Sequence, residues 1–87
     1  MTIFVVITTQ GSSEKLDKNI SDKYDDKALK LPNGEWLISF DGTSSQLSDK
    51  LGITDENTID ASAIVLSTDG YWGYSNKSIW EWFKVNS

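Results

Sequence analysis

The sequence predicts an α+β fold in which an antiparallel four-stranded sheet is flanked by helices, and three observations carry that prediction. The chain opens on Ile3-Phe4-Val5-Val6-Ile7, β-branched and apolar on both faces, as a strand inside a sheet must be. A strand–turn–strand unit follows at Ala28-Leu29-Lys30-Leu31, Pro32-Asn33-Gly34 and Glu35-Trp36-Leu37-Ile38-Ser39-Phe40. Between that hairpin and the last strand lies a short stretch with a helix start and a helix stop.

Each element has its own signal. Gln10-Gly11-Ser12-Ser13 ends the first strand and caps a helix from Glu14 to about Tyr24, where Leu16, Ile20 and Tyr24 recur every four residues. Glu14 and Lys18 stand four residues apart on its polar side, a favourable pair. Asn33-Gly34 suits a turn that needs positive φ, and Pro32 beside it suits an edge strand because it removes a ladder donor. In the strand that follows, Trp36, Ile38 and Phe40 share one face while Glu35, Leu37 and Ser39 share the other.

Asp41-Gly42 closes the hairpin, and Thr43-Ser44-Ser45-Gln46 has the form of a capping box. The helix it starts runs to about Leu51, with Leu47 and Leu51 inward and Gly52 as its stop. A polar, acidic loop covers Thr54 to Asp60. The fourth strand is Ala63-Ile64-Val65-Leu66-Ser67, ended by Asp69-Gly70. After the aromatic stretch Tyr71-Trp72-Gly73-Tyr74, Ser75 or Asn76 can cap a helix from Lys77 to Lys84, with Ile79 and Phe83 inward.

The order β-α-β-β-α-β is the split βαβ of the ferredoxin-like fold, with expected strand order 4-1-3-2, both helices on one face and a short C-terminal helix added. At 87 residues it makes one domain over 1–87. The first strand is apolar on both faces and only one can lie under the two helices. The C-terminal helix, a second subunit, or both must cover the other.

Composition narrows the chemistry. The chain has eight lysines and no arginine, histidine or cysteine. Zinc and iron–sulfur sites, disulfides, thiolate nucleophiles and imidazole bases are therefore excluded, and so is a bidentate arginine clamp for phosphate. Thirteen acids give a net charge of −5, the wrong sign for attracting nucleic acid. The apolar run at the start is too short to span a bilayer and lacks the basic flank of a signal peptide. A soluble cytoplasmic protein without a cofactor is the expectation.

From Asp26 onward the chain resembles a family of very short ferredoxin-like proteins labelled "SinR family", related to the smaller subunit of the CRISPR adaptation complex. The resemblance rests on Trp36-Leu37-Ile38-Ser39-Phe40, on the capped helix Thr43–Leu51, and on Ala63-Ile64-Val65-Leu66. Trp72-Gly73-Tyr74 and Ile79-Trp80-Glu81-Trp82-Phe83-Lys84 complete it, so about two thirds of the chain is covered. It implies the fold and dimerisation through the sheet. The CRISPR relatives hold a divalent ion with an aspartate at the end of the first strand, where this chain has Val6-Ile7-Thr8-Thr9-Gln10. Metal-dependent nuclease activity, reported for some relatives, does not carry over with that residue missing.

Among candidate sites, Asp55, Glu56 and Asp60 share one loop and Asp25-Asp26 another. Neither has the spacing of a calcium loop, and solvated acidic loops account for them. Ser39-Phe40-Asp41-Gly42-Thr43 is similar to a phosphatase motif, but Ser stands where the nucleophilic Asp belongs and the chain is too short for that fold. Gly11-Ser12-Ser13, after a strand and before a helix, could cradle an anion, but a lone glycine with two serines reads rather as an ordinary helix cap.

The aromatics Trp36, Tyr71, Trp72, Tyr74, Trp80 and Trp82 are the most unusual feature, without the basic surround of a base-stacking sheet. Trp80 and Trp82 cannot both turn inward with Ile79 and Phe83. The reading is a small acidic, non-enzymatic protein-binding module, a homodimer through the sheet. Its second partner would be a basic protein surface. The interface would comprise those six aromatics with Asp55, Glu56 and Asp60 as a charged rim. The alternative is a metal-dependent nuclease or RNA-binding protein on the same scaffold.

Overall fold

In the computed structural model of the chain, the described residues are 2–11, 13–53, 61–70, 73 and 77–86. Four strands and three α-helices follow in the expected order, with a 3-10 turn at Asp25–Lys27 between the first helix and the second strand: β1 Thr2–Gly11, α1 Glu14–Tyr24, β2 Ala28–Lys30, β3 Trp36–Phe40, α2 Ser44–Leu51, β4 Ala61–Thr68 and α3 Lys77–Asn86. The sheet is antiparallel throughout and ordered β2-β3-β1-β4, the ferredoxin-like arrangement. β1 therefore lies inside the sheet, as its two apolar faces require.

β1 is longer at both ends than its apolar run. Its polar ends hold their place by ladder pairing rather than by burial, with Thr2 opposite Phe40 and Gln10 opposite Ser62. A bulge falls between Thr8 and Gln10, and the Thr9 hydroxyl donates to the Ser62 carbonyl at 3.1 Å. The β2–β3 turn also differs from a two-residue hairpin. The Gly34 amide donates to the Leu31 carbonyl and the Leu31 amide to Glu35, so Pro32-Asn33-Gly34 form a three-residue loop. Proline in the first turn position keeps φ negative there, and the positive φ falls on Gly34 alone.

The two faces of the sheet carry two separate cores. Residues opposite one another in an antiparallel ladder point to the same side. Phe4, Val6, Trp36 and Ile38 thus meet Leu16 and Ile20 of α1 and Leu47 and Leu51 of α2. On the reverse face Ile3 and Leu37 meet Phe83 of α3, with Val5, Leu29, Leu31, Ile79, Trp80 and Trp82 around them. The C-terminal helix covers this part of the second face.

Side chains fix α2 at both ends and α3 at its C-terminus, whereas α1 starts at Ser13 without the side-chain cap the sequence suggested, because that hydroxyl donates to Asp17 instead. Thr43 and Gln46 form the full capping box at α2, and Gly52 takes the left-handed conformation at its other end. Asn19 and Lys23 of α1 donate to the carbonyls of Leu51 and Lys50, tying α1 to the C-terminus of α2. On the reverse face, Ser39 donates from its hydroxyl to the Asn86 carbonyl at 2.9 Å, a buried bond that seats the end of α3. The Trp82 indole N–H reaches the Asp26 carbonyl at 3.3 Å.

Candidate interaction surface

Period-two alternation decides what β4 shows. Ala63 and Val65 turn toward the core under α1 and α2. Leu66 lies opposite Val5 and Ile64 opposite Ile7, so both share the face on which α3 packs. α3, however, rests its apolar side on Ile3, Val5, Leu29, Leu31 and Leu37, which belong to β1, β3, β2 and the loop after β2. Ile64 and Leu66 are left 49% and 48% exposed.

Edge position adds to this. Among the described residues β4 is an outer strand, paired along one side only, with β1. The two edges of the sheet are guarded differently. β2 is three residues long, ends on Lys30 and runs into Pro32, all features that discourage strand addition. β4 is eight residues long and contains no charged residue, no proline and no glycine. An uncharged, half-apolar edge in a chain of net charge −5 is a surface suited to protein contact.

The aromatics foreseen as an interface divide. Trp36 is only 7% exposed, and its ring belongs to the core beneath α1 and α2. Its indole N–H donates to Asp17 Oδ1 at 2.8 Å, while Lys30 Nζ and the Ser13 hydroxyl hold Oδ2 at 2.8 and 3.1 Å. That burial takes Trp36 out of the candidate surface and makes it a structural residue. Trp80 and Trp82 are both half-buried, each against the ring of Phe83. The outer side of Trp80 lies beside Lys77, Glu81 and Lys84. Tyr71, Trp72, Tyr74, Asp55, Glu56 and Asp60 lie outside the described residues.

Asp17 is a latch rather than a reactive group. Burial works to raise its pKa, but hydrogen bonds from Lys30, Trp36 and Ser13, with the charge of Lys30, outweigh it and hold the carboxyl below its ordinary 3.8. A folded-state pKa below the unfolded one gives stability that is present above the unfolded value and lost as pH falls through the folded value. Asp17→Asn is therefore expected to cost about 1 kcal/mol at neutral pH, chiefly through the weakened bond to the buried Trp36. In urea melts the gap to the unsubstituted chain should close in acid; a gap independent of pH would refute the latch.

Of the Gly11-Ser12-Ser13 stretch, Ser12 lies outside the described residues; the Ser13 hydroxyl donates to Asp17, and the carboxylate-bearing Glu35 lines the depression beside Gly11 and Ser13. Among the described residues, no three acidic side chains converge on a point that would hold a metal ion. No helix among them is long and apolar enough to cross a membrane.

Sequence reasoning passed over Ile64 and Leu66. The signal was present: an uncharged alternating strand which the order 4-1-3-2 places at a sheet edge. No family model, curated protein or solved structure matches the chain.

Proposed function

We propose that this chain is a small acidic protein-binding module that works without catalysis, as a homodimer and through contact with a basic protein surface. Its role would be regulatory, antitoxin-like or inhibitory, such as blocking a nucleic-acid-binding protein in a mobile-element or defence setting. One observation carries the reading: the long uncharged outer strand β4, with Ile64 and Leu66 half exposed on the face that α3 covers only in part. The net charge of −5 supports the basic partner, because opposite charge steers encounter and selects among surfaces. The resemblance to short ferredoxin-like proteins favours dimerisation through the sheet.

The test is made on the purified full chain with RNA and DNA in Mg²⁺ and Mn²⁺. No cleavage, and no retention of either nucleic acid at low salt, is the expected result. Cleavage that disappears when Asp41 or Asp69 is changed to Asn would replace this reading with a nuclease.

A further inference from the structure

We infer that the outer edge of β4, paired with no other strand among the described residues, docks against β4 of a second copy of this chain, antiparallel, about a two-fold axis through Val65. The inference rests on the homodimer reading above and gives it a register.

Antiparallel self-pairing admits few alignments. Alternate residues of an edge strand point their backbone groups outward, so a residue must pair with one of the same parity in the partner. The axis then passes through a residue. Placed at Leu66, it leaves only Ile64 to Thr68 paired. Placed at Ile64, it sets Leu66 opposite a serine, Ser62. Placed at Val65, it sets Ile64 opposite Leu66 twice over and pairs Ser62 through Thr68, a strip about 23 Å long. This alignment brings all four half-exposed aliphatic side chains of the two copies onto one face.

Charge separates this occupant from others. Two copies of a chain of net charge −5 repel, and the strip from Ser62 to Thr68 is free of charge. A basic partner would find no carboxylate within it. A contact one strand wide and about 23 Å long covers less than the roughly 800 Å² a side of a standard interface, so the dimer should dissociate on dilution. Salt screens the repulsion between copies and should tighten the dimer, whereas it would loosen a complex with a basic protein.

The absence of cysteine makes the register directly readable, because an introduced thiol is unique. Directly opposite residues have Cα atoms about 4.5–5.5 Å apart, within disulfide reach. On mild oxidation, Ile64→Cys mixed with Leu66→Cys should cross-link at least about tenfold more than either alone, whose thiols would sit on the diagonal at about 7–8 Å.

Cross-linking of either variant mainly with itself, or a dimer by sedimentation with no cross-link at all, would overturn this pairing and leave the homodimer standing. A monomer at every concentration would remove both. The double variant Ile64→Lys/Leu66→Lys changes exposed positions only. It should keep the circular dichroism of the fold and lose the dimer; a dimer that survives it refutes the proposal.

Discussion

Phe4→Ala should come close to unfolding the protein. Phe4 sits on β1 inside the sheet, fully covered by α1 and α2, and meets the ring of Phe40 edge-on at 5.9 Å. Removing a buried phenyl group costs about 3–5 kcal/mol, from lost transfer energy and from the cavity left behind. A domain of this length has a total stability of roughly 4–13 kcal/mol, so the loss is a large share of the whole. The size of the chain sets the sensitivity, since one small core has few other contacts to fall back on. Urea denaturation should show the midpoint fall with an unchanged slope; a shift equivalent to less than about 1 kcal/mol would mean that this face is not the principal core.

Phe83→Ala should have the second-largest effect, of a different kind. Phe83 is 8% exposed and is the residue through which α3 reaches Ile3 and Leu37. It also supports the rings of Trp80 and Trp82. The loss, about 3 kcal/mol, falls on a layer that shares no buried residue with the core beneath α1 and α2. α3 should therefore loosen before the rest unfolds. Its amides should exchange faster while those of β1 and β3 remain protected, and tryptophan emission should shift to the red. Uniform acceleration across the chain would show that the two layers unfold as one. Val85→Ala, on the outward side of the same helix, should change stability by no more than about 0.5 kcal/mol.

The legible parts of this fold were those with strong local chemistry. The apolar run at Ile3–Ile7, the capping box at Thr43 and Gln46 and the four-residue spacing of Leu16 and Ile20 each specify an element without help from the rest of the chain. The polar ends of β1 were not legible, because Thr2, Thr8 and Gln10 are held by ladder partners distant in sequence. The same holds for Trp36. Its alternation with Ile38 showed which way it faced, but what buries it, the helices packed over that face and the carboxylate of Asp17 nineteen residues away, comes from elsewhere in the chain.

The candidate surface was hidden for a related reason. Ile64 and Leu66 look like any strand interior until the sheet order puts them at an edge and the short reach of α3 leaves them bare. Large aromatics drew attention by composition, whereas an edge is a property of topology. Compositional signals such as the missing arginine, histidine and cysteine bounded the chemistry without locating a surface.

Hydrogen exchange along β4, followed as protein concentration is raised, tests the central claim most directly. Alternate amides of an edge strand bond to its neighbour and the rest face outward, so at high dilution protection should alternate along Ala61–Thr68. Pairing with a second copy covers the outward set. The account predicts that those amides slow as concentration rises, centred on Val65, while β2 at the opposite edge stays unchanged. Outward amides of β4 that exchange at one fast rate at every concentration would contradict it.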